Sequence, residues 1–263
     1  MTLPFQLAIL SGSLIGLLLG ATGGGGSLLA IPLLVYVVGV PVQQAALISL
    51  IVVGVSALVG ALHKSQENQV RGLAAVLFST TGAAGAWFGA YGHRIVSEES
   101  VLTLFGLLMF GVSWWNLRRL DVDEQAMNQE GCARNFSPQC VGRGLGIGFA
   151  VGVLTGFFGI GGGFLIVPAL MFIMGFPAQM AVGTSLLTVA LIASGGIIGH
   201  LNTVTVDTIL VSWLLAGAVC GVVLGSRWSA GLDGKAFRKA LGLLTGAIGF
   251  LMVAAHLLRL FRP

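Results

Sequence analysis

Charge is what this sequence has least of. Only 8% of its 263 residues are charged, whereas about 25% is usual for a soluble domain, whose surface must be hydrated. Two long segments, residues 1–63 and 144–206, contain no Asp, Glu, Lys or Arg. Segments of this length far exceed the roughly 20 apolar residues that one transmembrane helix needs. The sequence therefore excludes a soluble fold and predicts a multi-pass membrane protein, with the lipid bilayer as its solvent.

Other absences exclude whole classes of function. Three cysteines do not make a disulfide scaffold, and the sequence has no HExxH or GxSxG motif and no ATP-binding element. The net charge of +4 is spread over short loops, which is typical of orientation signals beside membrane spans and not of nucleic-acid binding. We therefore expect no catalytic residues, no metal, no cofactor and no nucleic-acid partner.

A glycine-rich segment occurs twice, 136 residues apart. The first copy begins at Gly20 and reads GATGGGGSLLAIPLL, and the second begins at Gly156 and reads GFFGIGGGFLIVPAL. Of the 41 positions from Gly20 to Gly60, 16 are identical to their counterparts without a gap. This predicts two homologous halves, residues 1–117 and 144–263, joined by a polar linker, residues 118–143, within one membrane domain.

Each half contains five apolar pieces. They are roughly 3–19, 27–39, 43–62, 72–92 and 100–117 in the first half, and 144–158, 164–175, 178–199, 208–226 and 240–258 in the second. The last three of each half are long enough to span, whereas the piece of about 12 residues after each glycine run is too short. We expect an all-α membrane fold in which each half has one glycine-broken, discontinuous helix and three spanning helices.

The basic residues indicate how the two halves are oriented. If the chain reverses at each glycine run, ten basic residues lie on one side of the membrane and three on the other. Without the reversal the division is eight to five. The positive-inside rule favours the reversal, which gives each half an odd number of crossings. The halves are then inverted relative to each other, a plan that recurs in transporters with a central site.

The glycine runs predict where helices break, since each glycine inside a helix costs about 1 kcal/mol relative to alanine. A helix that restarts at Ser27 or Gly163 presents unpaired N–H groups and the positive end of its dipole. Two such ends make an anion site that needs no Lys or Arg. The alternative role for these glycines is close helix packing, which we expect for the GxxxG pairs Gly85/Gly89 and Gly221/Gly225.

Polar side chains within the apolar runs complete the candidate site, because polarity inside a membrane is costly unless it is used. Glutamine can offer two donors to an anion and a hydroxyl one, although hydrogen bonds between helices are the alternative role for each. The predicted substrate-binding residues are Thr22, Gly23, Gly25, Gly26, Ser27, Gln43 and Ser49 in the first half, and Gly159, Gly161, Gly162, Gly163, Gln179, Thr184 and Ser185 in the second.

The doubled GxxGxGGxxxxxP element resembles the sulfite exporter TauE/SafE family. The match is carried by Gly20 to Gln43 and Gly156 to Ser185, and the hydrophobic layout agrees over nearly the full length. The resemblance implies a permease of the bacterial plasma membrane for sulfur-containing anions such as sulfite, sulfonates and sulfoacetate. The first run departs from the second at Gly24, where the second has a bulky residue, and at Ser27, where the second has glycine.

These features predict a secondary transporter that holds a small anion at the two helix starts and works by alternating access. An anion channel or a membrane subunit of a larger assembly is the alternative. An intramembrane enzyme is less favoured, because Ser185 with His200 is the nearest approach to a catalytic pair and Ser185 matches Ser49 in the repeat. A coupled proton and a homo-oligomer are both compatible with the sequence.

Overall fold

A computed structural model of the chain describes residues 3–93, 95–118, 138–159, 162–172, 175–200 and 206–228, together with residues 243, 246, 247, 249 and 250. The middle of the predicted linker, residues 119–137, and most of the last predicted apolar piece, 240–258, lie outside the described residues. Within the described ranges the chain is helical and contains no strand, as the sequence predicts.

Nine helices are described, and they follow the predicted apolar pieces. They are α1 (Leu3–Thr22), α2 (Gly25–Pro32), α3 (Val42–Gln66), α4 (Gly72–His93), α5 (Glu98–Arg118), α6 (Pro138–Phe158), α7 (Gly163–Phe172), α8 (Ala178–His200) and α9 (Thr208–Trp228). A π-helical segment, Leu33–Val38, continues α2. Helix α6 begins inside the segment predicted as linker, because Pro138 fits the first turn of a helix, where its missing N–H costs nothing.

Five described helices are long and apolar enough to cross a membrane. They are Val42–Gln66, Gly72–Gly92, Val141–Phe158, Gln179–Gly199 and Thr208–Trp228, so they belong to α3, α4, α6, α8 and α9. Gln6–Thr22 and Gly25–Val38 are shorter apolar helices. The chain is therefore a multi-pass membrane protein, and the segment after the first glycine run is short, as predicted. Helices α3 and α8 are the most buried of the five.

Two seams of small residues hold the outer helices together. One seam joins α1 to α9, and the other joins α4 to α6. The predicted packing glycines Gly85 and Gly89 lie on α4 against the backbone of α6, and Gly221 and Gly225 lie on α9 against the backbone of α1. Their packing role is confirmed, because a side chain at any of the four would overlap main-chain atoms of the neighbouring helix.

Contacts along the seams give the directions of the helices. Along α1, Gly12, Gly16 and Gly20 face Leu214, Ala218 and Val222 of α9, so these two helices run parallel. Between α3 and α8, by contrast, Gly54 faces Ala193 and Gly60 faces Leu186, so this central pair runs antiparallel. Helices α3 and α8 occupy matching positions in the two predicted halves. Their antiparallel packing supports the inverted arrangement, which stays a prediction about sidedness in the membrane.

The described basic residues lie at one face of the helix assembly. Helix α3 ends and α4 begins at this face, and α4 runs parallel to α6 and α8 according to their glycine contacts. Four residues separate α4 from α5 and seven separate α8 from α9, so α5 and α9 begin at the opposite face, and helices of 21 residues are long enough to return to the face where α3 ends. The basic residues at this face are Lys64, Arg71, Arg118, Arg143 and Arg227. We call it the basic face, and the positive-inside rule predicts that it faces the cytoplasm.

The seam glycines yield a first prediction, tested by two substitutions in α6. Gly152 is buried and a side chain there would overlap the backbone of Gly82, whereas nothing lies within 4 Å of a side chain added at Gly146. We expect Gly152→Val to destabilise the protein by about 1–3 kcal/mol through overpacking and Gly146→Val to have little effect. Thermal unfolding of the purified variants in detergent measures the difference. Equal melting temperatures would contradict the assignment of this seam.

Candidate functional site

The first glycine run breaks the chain between α1 and α2. Gly23 has a φ of 74°, a left-handed conformation that favours glycine, and it ends α1 by donating its N–H to the carbonyl of Leu19 at 2.8 Å. The hydroxyl of Thr22 then accepts the N–H of Gly25 at 2.6 Å and that of Gly24 at 3.3 Å. Helix α2 begins at Gly25, with Gly24 as its N-cap, two residues before the predicted start at Ser27.

The second glycine run makes a matching break between α6 and α7. Gly159 has a φ of 69° and donates its N–H to the carbonyl of Thr155 at 2.8 Å. Helix α7 begins at Gly163, as predicted, and the carbonyl of Gly162 accepts the N–H of Leu165 and of Ile166. The predicted site residue Gly161 lies outside the described residues.

The two breaks meet inside the protein. A side chain at Gly24 would overlap the backbone of Gly163, and one at Gly163 would come within 3.0 Å of the Gly23 carbonyl oxygen. The two main chains can approach this closely because none of the three residues has a side chain. We call Gly23–Gly26, Gly159, Gly162 and Gly163, with Ser49 and Ser185, the glycine junction. All of these residues are buried.

Two serines tie the junction across the halves. The hydroxyl of Ser49, on α3, donates to the carbonyl of Gly159 in the second run. The hydroxyl of Ser185, on α8, donates to the carbonyl of Gly23 in the first run at 2.8 Å and lies equally close to the carbonyl of Val182 in its own helix. Both serines are fully buried. Each serine thus satisfies a carbonyl that the other half's helix break has freed, and the two bonds correspond at the 136-residue offset.

Some backbone donors at the helix starts have no partner. Among the described residues, no acceptor is found for the N–H of Gly26 at the start of α2, or for those of Gly163 and Phe164 at the start of α7. All three residues are buried. Buried unpaired N–H groups are costly, and at a helix N-terminus they favour a negative charge. The junction sequences themselves supply no charged side chain.

The structure does not bring every predicted residue to the junction. Gln43 and Gln179 lie exposed in the first turns of α3 and α8. Each is six residues from the junction serine of its helix, a rise of about 9 Å, which is too far for the side chain to share the site. Thr184 faces the α3–α4 loop, where its hydroxyl accepts the backbone N–H of Arg71 at 3.0 Å. The hydroxyl of Ser27 donates to the Gly24 carbonyl at 2.6 Å.

Tight packing surrounds two of the predicted glycines. A side chain at Gly26 would overlap the backbone of Ile15 and come within 2.6 Å of the Leu19 nitrogen. Gly162 has a φ of 66°, and a side chain there would overlap the Thr155 hydroxyl. Bulky substitutions at either glycine therefore disturb helix packing as well as any bound anion. The contact of Thr155 with the second glycine run was not predicted from the sequence. The one available signal was a threonine one helical turn before that run.

Comparisons with known proteins agree on one family. The family model described as sulfite exporter TauE/SafE matches residues 8–252. A probable membrane transporter protein of Xylella fastidiosa is 36% identical over 92% of this chain and 92% of its own length. The probable membrane transporter protein YdhB of Bacillus subtilis is 29% identical over 94% of this chain and 99% of its own.

A more distant relative is the probable membrane transporter protein MJ0441 of Methanocaldococcus jannaschii, 24% identical over 77% of this chain and 74% of its own length. No solved structure matches the chain. The family model covers nearly all of the described helices, including both breaks and both junction serines. The chain therefore belongs to the TauE/SafE family of membrane transporters.

Proposed function

We propose that the chain is a secondary transporter for a small sulfur-containing oxyanion, such as sulfite or an organosulfonate. The observation that carries the proposal is the meeting of two buried helix starts whose backbone N–H groups have no acceptor among the described residues, at a junction without charged residues. The relatives' names support a membrane transporter, and the family's description supports sulfite as the first anion to test.

The proposed site binds the anion through main-chain donors. The N–H groups of Gly26, Gly163 and Phe164 belong to helix starts, so the positive ends of two helix dipoles add to the hydrogen bonds. Glycine at these positions lets an oxyanion approach the backbone without meeting a Cβ atom. An anion held in this way needs no buried cation, whose desolvation would be costly.

The present conformation has the junction closed, with Gly24 directly against Gly163. We infer that binding separates the two breaks and frees a serine hydroxyl from its carbonyl in the opposite half. The freed hydroxyl then donates to the anion instead. Because Ser49 and Ser185 hold opposite breaks, releasing them in turn exposes the site first on one face of the membrane and then on the other, which is alternating access.

The potential of a cell favours export of an anion by such a protein. An inside-negative membrane potential contributes about 2.3 kcal/mol per charge per 100 mV to outward movement. The junction contains no carboxylate or histidine that would carry a proton with the anion. A uniport driven by the potential is therefore the simplest mechanism that the site supports.

The substrate assignment is tested by flux of labelled sulfite, sulfoacetate and sulfate in liposomes containing the purified protein. We expect saturable flux of at least one of these anions, accelerated by an inside-negative potential when the anion is loaded inside, because the site accepts charge without a counter-ion. Protein-free liposomes are the control. Flux equal to that control for every anion, from folded protein, would contradict the sulfur assignment. Flux that rises linearly with concentration would favour the channel alternative.

The serine assignment is tested by replacing Ser185 with alanine. A helix–helix hydrogen bond in a membrane contributes only about 0.6 kcal/mol, whereas a bond to a charged group contributes about 1.5–3 kcal/mol. We therefore expect Ser185→Ala to raise the KM for the transported anion about tenfold or more, with little change in thermal stability. Ser49→Ala should act similarly.

Ser194→Ala is the matched control, since Ser194 lies exposed on the same helix and donates only to Leu191 of its own helix. We expect this variant to transport like the unmodified protein. A KM change below about threefold in both Ser49→Ala and Ser185→Ala corresponds to a structural hydrogen bond alone. That result would remove the serines from the proposed binding site.

A further inference from the structure

The basic face holds a buried lysine that the proposed transport site does not use. Lys64 lies in the last turn of α3, and its side chain is only 4% exposed. Its ammonium is 3.2 Å from a carboxylate oxygen of Glu67, whose side chain is 45% exposed. A buried ammonium is costly unless its donors are used.

The pair leaves much of the ammonium unsatisfied. An ammonium has three donors, and Glu67 is the one hydrogen-bond partner that the described part of the chain gives it. The loop that follows α3 contains a second unsatisfied group, since the side-chain oxygen of Gln69 is buried without a partner among the described residues. The oxygen and nitrogen of an amide exchange places by a flip, so this position can also present two N–H donors.

The loop also contacts the helix that holds Ser185. The backbone N–H of Arg71 donates to the hydroxyl of Thr184, and a side chain added at Gly183 would meet the carbonyl of Gln69. Ser185, the residue after Thr184, donates its hydroxyl to the Gly23 carbonyl of the junction. On α3, Gly60 contacts Leu186 of α8, and Lys64 follows one turn later, a rise of about 6 Å toward the basic face. Lys64 therefore lies at the basic face, one turn of α3 beyond the contact with Leu186, which is the neighbour of Ser185.

We propose that Lys64 is a second anion-binding residue, at the entrance to the junction from the basic face, and that Glu67 occupies it in the absence of substrate. The ligand class is the same small oxyanion as in the proposed function, on which this inference rests. An arriving oxyanion displaces the Glu67 carboxylate, which can swing into water because it is half exposed. The anion then takes up the spare ammonium donors before it passes to the backbone donors of the junction.

This arrangement predicts opposite effects for the two members of the pair. Lys64→Met removes the positive charge and keeps a long apolar stem suited to a buried site. We expect it to raise the KM for sulfite entering from the basic face at least about tenfold, as expected when a bond to a charged group is lost. Glu67→Gln removes the competing carboxylate and should lower the same KM. The double variant should resemble Lys64→Met, since Glu67 acts only through the lysine.

The experiment uses the full chain in liposomes with labelled sulfite, and the same variants in detergent with sulfite as a thermal stabiliser. Arg143→Met is the matched control, because Arg143 is an exposed basic residue at the same face and its loss changes the net charge equally. We expect the control to keep the KM within about twofold, since exposed charges are screened by salt. Lys64→Arg, which retains the charge, should restore most of the affinity.

The outcomes separate this inference from the proposed function. If Lys64→Met and Glu67→Gln change the KM in the same direction, or if neither changes it, the two residues form a structural ion pair. That result overturns this inference and leaves the proposed transport function intact. If Lys64→Met and Arg143→Met change the KM equally, the effect comes from the overall charge of the basic face, and this inference is also overturned. Absence of both flux and thermal stabilisation by sulfite, sulfoacetate and sulfate in the unmodified protein would overturn the proposed function and this inference together.

Discussion

The structure depends on one constraint, that backbone polar groups inside a membrane must find partners within the protein. Two helices break at glycine runs, and each break frees carbonyl and N–H groups of buried residues. Crossed hydrogen bonds from Ser49 and Ser185 satisfy the carbonyls of Gly159 and Gly23 in the opposite half. The N–H groups of Gly26, Gly163 and Phe164 at the helix starts have no acceptor among the described residues. These N–H groups are the reason for proposing that the junction binds an anion.

Helix packing brings the two breaks together. Glycine seams hold α1 to α9 and α4 to α6, so each seam joins a helix from the first predicted half to one from the second. The most buried spans, α3 and α8, cross antiparallel at the centre and carry the junction serines. Between them the two breaks are joined by serine hydrogen bonds, which are weak in membranes, and by close contact of glycine backbones. The proposed alternating access requires such a difference between the outer seams and the inner contacts.

Much of this organisation was predictable from the sequence, because lipid restricts the choices. The lack of charged residues predicted the membrane helices. The two glycine runs, 136 residues apart, predicted both helix breaks and the pairing of the two helix starts. Details that depend on three-dimensional neighbours were not predictable. Helix α2 starts two residues early, at Gly25, whose N–H is accepted by the Thr22 hydroxyl, and helix rise carries Gln43 and Gln179 away from the serines they accompany in the repeat. The burial of Lys64 also had no signal, since a lysine at a helix end is usually exposed.

Locating a bound oxyanion tests the central claim most directly. Selenite has the pyramidal shape and charge of sulfite, and its selenium atom gives an anomalous diffraction signal that marks its position. In crystals of the full chain grown with selenite, we expect an anomalous peak within hydrogen-bond distance of the backbone N–H groups of Gly26 and Gly163, beside a displaced serine hydroxyl. Anomalous peaks found only elsewhere in a protein that transports the anion would contradict the assignment of the glycine junction as the substrate site.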